Sequence, residues 1–330
     1  MGESEFMEQS SEKKEMGIVQ EKNQIKQWIP RILLTVILLA LSAYLLKGDV
    51  WTFWTWWLLA ALLGVAAMPV TGILFGRFED KGWIFSKVLA IGATGFFTWL
   101  LVAIKLLPFT SLTCLGVVLA CGLFCLFLQK KHIVKKKECF PVGKGKLIFW
   151  EEVLFFAAFL LWTYVAGFHP AAYGTEKFMD YGFMETMMRS TTLPARDLWY
   201  SQGHINYYYG GQYFAVFLTK LSHTKVELTY NLMRTFVAGL AFAMPFSLVY
   251  QMSTDRMKGQ EKKEGIKMGI PYLAGITAGT AVSIAGNMHY VIYANILPWI
   301  EKLTGKEVSS YWFPDATRYI GYNPYREEDR

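Results

Sequence analysis

The feature that most limits what this chain can become is a succession of apolar stretches of about twenty residues, each nearly free of charge. A helix rises about 1.5 Å per residue and the hydrocarbon of a bilayer is roughly 30 Å thick, so such a stretch can cross it. Every backbone amide and carbonyl is then bonded within the segment. Seven stretches qualify, near residues 30–47, 51–75, 84–107, 110–128, 147–167, 228–251 and 269–294. Charged residues make up only 18% of the chain, against about 25% in soluble domains. The sequence therefore reads as an all-α, polytopic integral membrane protein of about seven transmembrane helices, which excludes a soluble enzyme, a disordered chain and a disulfide scaffold.

Lysine and arginine set the expected orientation. The linker 129–146 carries Lys130, Lys131, Lys135, Lys136, Lys137, Lys144 and Lys146 against Glu138, and so belongs in the cytoplasm. Parity then puts the polar tail 1–28, with Lys13, Lys14, Lys22 and Lys26, on the same side, and leaves Lys47 and Lys105 outside. The net charge of +7 is accounted for by loops facing anionic headgroups, so no nucleic-acid partner is expected. The organisation that follows is a disordered cytoplasmic tail (1–28), a four-helix accessory block (29–128), the basic linker (129–146) and a module at 147–330. That module has a long external stretch at 168–227 and an external tail at 295–330. A plasma-membrane protein with a cytoplasmic N-terminus is the expected setting.

Residues 207–222 are apolar enough to imitate a span. Sixteen residues of helix reach only about 24 Å, and a crossing there would force Arg256, Lys258, Lys262, Lys263 and Lys267 outside. A juxtamembrane helix along the outer interface is expected instead, with Tyr208, Gln212, Thr219 and His223 as its polar stripe. Trp51, Trp54, Trp56 and Trp57 read as an aromatic belt.

Chemistry-bearing residues crowd into the external stretch. Glu176 and Asp180 are four apart, so a helical turn places both carboxylates on one face. Such a pair can divide the work of a general base and a neighbouring acid, while the plainer reading is an exposed turn with Lys177 as partner. Arg189, Arg196 and Arg234 are candidate phosphate contacts, since a guanidinium fork matches phosphate oxygens. Arg189 could equally pair with Glu185, and Arg234 sits unusually inside an apolar span. Tyr207, Tyr208 and Tyr209, followed by two glycines, could stack on a sugar or anchor at the interface. Taken as helical, three in a row must point one ring inward. His204 is a further candidate contact. His169, His204 and His223 lack the short spacing of a zinc site, so the cofactor these residues admit is a divalent cation, Mg or Mn, held by Glu176 or Asp180 with substrate phosphate. Asn287 and His289 border the same external space, and the four cysteines are not placed for an external disulfide.

The run from Glu176 to Phe214, with Glu-Lys-Phe-Met-Asp-Tyr-Gly-Phe, Arg-Ser-Thr-Thr-Leu-Pro-Ala-Arg-Asp-Leu-Trp-Tyr and Asn-Tyr-Tyr-Tyr-Gly-Gly-Gln-Tyr-Phe, resembles the YYY-domain membrane proteins, an uncharacterised family. That family in turn resembles C-type glycosyltransferases, which use polyprenyl-phosphate sugars. The resemblance implies a fold in which one span delivers an essential acid on a long external loop, followed by horizontal helices and the next span. It implies Asp180 as the base that activates an acceptor, with Glu176 as its neighbour or a metal ligand. The partner implied is a polyprenyl-phosphate-linked sugar in the membrane. Family members continue through further spans and an external segment containing Asp-Leu-His. The 330 residues are accordingly expected to be an N-terminal part, completed by the rest of a longer chain or by a C-terminal partner polypeptide. Two other function classes stay open: a transporter or flippase of a lipid-linked or anionic solute, and a non-catalytic assembly subunit.

Overall fold

The structure is a computed structural model that describes residues 28–131, 139–141, 143–173, 176–258, 269–285 and 292–307. The N-terminal tail, Lys135, Lys136 and Lys137 of the linker, Lys262, Lys263, Lys267, Asn287, His289 and the chain beyond residue 307 lie outside the described residues. Among those described, helix dominates and no strand forms. The helices are α1 (28–46), α2 (Val50–Leu74), α3 (Trp83–Ala103), α4 (Ser111–Lys130), α5 (Gly145–Ala166), α6 (Lys177–Arg189), α7 (Gly210–Ser222), α8 (Val226–Lys258), α9 (Ile270–Thr280) and α10 (Leu297–Thr304). Five stretches are long and apolar enough to cross a membrane: Trp28–Leu74, Trp83–Ala103, Ser111–Lys130, Gly145–Ala166 and Val226–Lys258. A sixth apolar stretch, Ile270–Ala285, is shorter. Leu119, Leu123, Phe124 and other large apolar side chains stand exposed along these helices, as lipid-facing residues of a membrane protein must.

The first of those stretches is folded back on itself. Lys47 takes a left-handed φ of 48°, and Lys47–Asp49 form one turn of tight helix. Across that turn the Trp54 indole donates to Ser42 Oγ at 3.0 Å. Twelve residues of continuous helix would hold them about 18 Å apart, so α1 and α2 run side by side as a hairpin.

The core lies where α2, α5 and α8 meet. Phe53 stacks on Phe159 at 4.3 Å between ring centroids, and Phe155 and Phe159 both meet Phe236 edge to face. Lipid tails are as apolar as these rings, so association rests on close packing and interhelical hydrogen bonds. Gly239 permits that closeness: a Cβ there would lie 3.2 Å from the Phe159 Cα. Thr163 and Thr235 add a hydrogen bond of 3.0 Å between α5 and α8.

The tryptophan belt is only partly a belt. Trp51 is exposed, but Trp54 bonds Ser42, Trp56 donates to Ser222 and Thr224, and Trp57 donates to Glu152 Oε2. Four indoles within about two turns point around most of the helix and cannot all face lipid, and the protein takes those with a polar partner.

At the end of the bundle that holds residues 75–82 and 139–144, Glu79 binds Lys144 at 2.9 Å and Lys258 at 2.8 Å. Helix α8 therefore runs 33 residues, past its apolar part, to deliver Lys258. The opposite end carries α6 and α7.

Candidate functional site at the α6–α7 end

Glu176 is the residue before α6 and Asp180 closes its first turn, the Asp180 amide donating to the Glu176 carbonyl at 2.9 Å. The i,i+4 spacing thus puts both carboxylates on one face, and that face meets α7. Tyr208 donates its hydroxyl to Glu176 Oε2 at 2.7 Å, and Gln212 donates its amide to Asp180 Oδ1 at 2.7 Å. Further along, Lys220 Nζ donates to the Met188 carbonyl at 2.8 Å. The three rungs join residues separated by the same 32 positions. Helices α6 and α7 consequently run parallel and in register, with the two acids facing Tyr208 and Gln212.

The other faces of α6 are occupied as well. Phe178 and Phe183 meet Trp199 edge to face, and the loop carrying Trp199 folds on itself through an antiparallel bridge between Arg196 and His204. Tyr181 donates to Glu185 at 2.8 Å and packs edge to face on Tyr230 of α8. Burial and then that bond push the Tyr181 phenol up to about 12.

Helix α7 is packed into the protein along much of its length. Ala215 to Lys220 are all buried, and Thr219, read as part of a polar stripe, bonds Thr229 of α8 at 2.7 Å. The Tyr213 hydroxyl reaches the Gly95 carbonyl on α3 at 2.7 Å, and Ser222 receives the Trp56 indole on α2. Gly95 is about 12 Å below the end of α3 and Trp56 about 9 Å below the start of α2. Both ends of α7 therefore sit at a similar depth, so the helix lies across the bundle and does not thread through it. Its close seat on α3 needs glycine: a Cβ at Gly95 would fall 2.4 Å from Phe214 Cε1. Burial lowers the pKa of the Lys220 amine, which also lies 4.7 Å above the Phe109 ring.

The tyrosine triplet precedes α7 and is not helical, so the circumference argument does not apply. Its rings divide by hydrogen bond: Tyr208 to Glu176, Tyr209 accepting from the Trp99 indole at 3.0 Å, and Tyr207 packed on Tyr208 with centroids 3.9 Å apart. The bond to the Glu176 carboxylate, with Tyr207 beside it, raises the Tyr208 phenol well above its ordinary pKa. Together with Phe96, Trp99 and Phe214 the triplet lines a groove of about 340 Å³. Phe96, on the groove wall, and its neighbour Phe97 are half exposed on α3.

The candidate basic residues do not converge. Arg189 ends α6, about 13 Å along the helix from Asp180, and Arg196 and His204 are exposed on the loop. The Arg234 guanidinium sits 5.2 Å from the Tyr230 ring and bonds Asn231 Oδ1, and Tyr230 packs edge to face on Tyr181, the residue after Asp180. Asn231 in turn holds the Pro170 carbonyl at 2.8 Å and borders a second cavity, of about 310 Å³, between α2, α5 and α8. Among the described residues no three His, Cys, Asp or Glu side chains gather as a metal site. His223 caps α7 in a left-handed conformation, φ 51°.

Sequence reasoning missed a second polar cluster, at the far end of the bundle. Lys87, fully buried on α3, pairs with Glu152 of α5 at 2.5 Å, and Glu152 also receives the indoles of Trp57 and Trp83. The letters were visible, since Lys87, Glu151 and Glu152 lie inside apolar stretches, and charge in a span marks a partner or a function.

The chain belongs to an uncharacterised membrane protein family, DUF2298, whose model matches residues 93–327 and so takes in α6, the tyrosine triplet and α7. No curated protein and no solved structure matches the chain.

Proposed function

We propose that this protein is a membrane glycosyltransferase, or the N-terminal part of one, that moves a sugar from a polyprenyl-phosphate donor to an acceptor outside the cell. The observation that carries the reading is two adjacent carboxylates, held by Tyr208 and Gln212, beside an aromatic groove whose Phe96 wall is half exposed on α3. A lipid-linked sugar needs both. Its chain approaches sideways through hydrocarbon, its sugar stacks on rings, and a carboxylate waits at the water side.

In this mechanism Asp180 takes the proton of the acceptor hydroxyl. The acceptor oxygen bonds to the anomeric carbon as the bond from that carbon to the phosphate oxygen breaks. The phosphate leaves with the lipid, its charge met by Arg234, which reaches the acids' helix through Tyr230 and Tyr181. Arg189, Arg196 and His204 are too dispersed to share that task, and Glu176 holds the tyrosine wall in place. The carboxylate oxygens of Glu176 and Asp180 not engaged by Tyr208 and Gln212 would suit Mg or Mn, which on binding would neutralise the leaving phosphate. The same reading sets seven crossings, the last beginning at α9, with α6 and α7 outside the plasma membrane and the N-terminus inside.

The test is Asp180→Asn in membranes supplied with polyprenyl-phosphate sugar. Transfer should be lost while protein level and thermal stability stay at wild-type values. Undiminished transfer by that variant would sink the assignment.

A further inference from the structure

The unexplained group in this molecule is Glu151. It lies seven residues into α5, is wholly buried, and neither of its carboxylate oxygens makes a hydrogen bond. Buried polar groups are almost always satisfied, and a charge at membrane depth is especially costly without a partner. Its surroundings make the omission sharper. After burial itself, the groups that bear on Glu151 are the Asp80 carboxylate, the Ser247 hydroxyl and the Glu152 carboxylate, of which Asp80 and Ser247 bond one another at 3.3 Å, and Tyr272 of α9 also feels it.

The charges nearby are already spoken for. Lys87 is paired with Glu152, and Lys144 and Lys258 are paired with Glu79. Arg31, which reaches Tyr272, stacks on Trp28 and Phe149. Asp80 is 2% exposed and accepts from the Gly82 and Trp83 amides and from Ser247 Oγ, the last at 3.3 Å. Those are dipoles, not cations. Among the described residues, two carboxylates thus remain inside the protein with no cation bound to either, and two such groups close together cannot both stay ionised in a dry interior.

We propose that Glu151, Asp80 and Ser247 form a buried site for one small monovalent cation, H+ or Na+, entered from the end of the bundle that bears Glu79. The donors are hard oxygens, which suit either ion and exclude softer metals. The site joins the 75–82 turn, α5 and α8, so its occupancy holds those elements together. It is independent of the transfer reaction, and neither Asp180 nor the tyrosine groove takes part in it.

The experiment is thermal unfolding of the protein in lipid nanodiscs, wild type beside Glu151→Gln, in NaCl or choline chloride at one ionic strength and across pH. If Na+ is the ion, wild-type Tm rises by several degrees over roughly a hundredfold range of Na+. If the ion is H+, Na+ has no effect, and Tm rises by a similar amount as the pH is lowered by about two units. In either case Glu151→Gln loses that response, because its amide can donate to Asp80 without an added charge. Any pH response from Glu79 or Glu152 persists in the variant and is subtracted. Should Glu151→Gln fail to accumulate, Ser247→Ala replaces it and should shift the response to higher cation concentration. A wild type indifferent to both ions, or a variant that responds as the wild type does, overturns the proposal.

Discussion

Replacing Lys87 by Met removes the cation from a pair whose lysine end the fold has fully enclosed. Lys87 is 0% exposed and Glu152 18%, with the Lys87 ammonium also 4.4 Å above the Trp83 ring. Breaking a buried pair from one side costs about 3–5 kcal/mol, chiefly through the charge left behind. Glu152 keeps two indole donors, at 3.1 Å from Trp57 and 2.5 Å from Trp83, so the low end applies, about 3 kcal/mol. That is a loss of roughly a hundredfold or more in the folding equilibrium. The double variant Lys87→Met, Glu152→Gln leaves no orphan charge while the amide oxygen still accepts from both indoles, and most of the loss should return. Equilibrium unfolding in mixed micelles of mild detergent and dodecyl sulfate, run on all four members of the cycle, measures this. The coupling should exceed about 1.5 kcal/mol, toward the middle of the range for contacting residues. A single variant that costs less than about 1 kcal/mol, or a cycle that is additive, would refute the account of Lys87 and Glu152 as a buried, mutually dependent pair.

Gly95→Ala should place a methyl 2.4 Å from Phe214, cost about 1–3 kcal/mol by overpacking and lower transfer activity by tilting α7; Phe214→Leu should restore both stability and transfer. Glu176→Gln should bring the Tyr208 phenol back toward about 10, the ordinary tyrosine value, read as one additional tyrosine resonance titrating in that range by NMR of ring-labelled protein; no change would mean the carboxylate does not hold that proton. For Glu79, burial raises the carboxyl pKa, but the hydrogen bonds and charges of Lys258 and Lys144 outweigh it and the net direction is down. A lowered folded pKa means stability that is present above the unfolded value and lost as pH falls through the folded one. Wild type should therefore lose about 1 kcal/mol relative to Glu79→Gln on acidification below about pH 4.5, and parallel curves would deny the clamp a role.

The membrane class, the helix positions and the carboxylate spacing were legible because they depend on length, periodicity and local charge. Apolar stretches long enough to cross had few other ways to bury their backbone, and Glu176 and Asp180 needed only one helical turn to align. What was misread shared a different cause. Trp56 and Thr219 were assigned to lipid or headgroup by their type, and the tyrosine triplet was left between a sugar contact and an anchor, although each has a hydrogen-bond partner supplied by another element: Ser222, Thr229, Glu176 and Trp99. Residue type alone does not distinguish a lipid-facing indole from one bonded 166 positions on.

By itself, then, the amino-acid order determined that this is a helical membrane protein and where its acids and tyrosines fall along the chain. The tertiary structure decided what those residues do for one another. It laid α7 across the bundle in register with α6, which set an i,i+4 pair of acids against Tyr208 and Gln212, beside the aromatic groove that the tyrosines line. It also closed Lys87, Glu151, Glu152 and Asp80 into one interior. The physical reason is that helix and hydropathy are governed by neighbours within a few residues, whereas a charge buried in a bundle is stabilised or left unpaired by whichever helix packs against it.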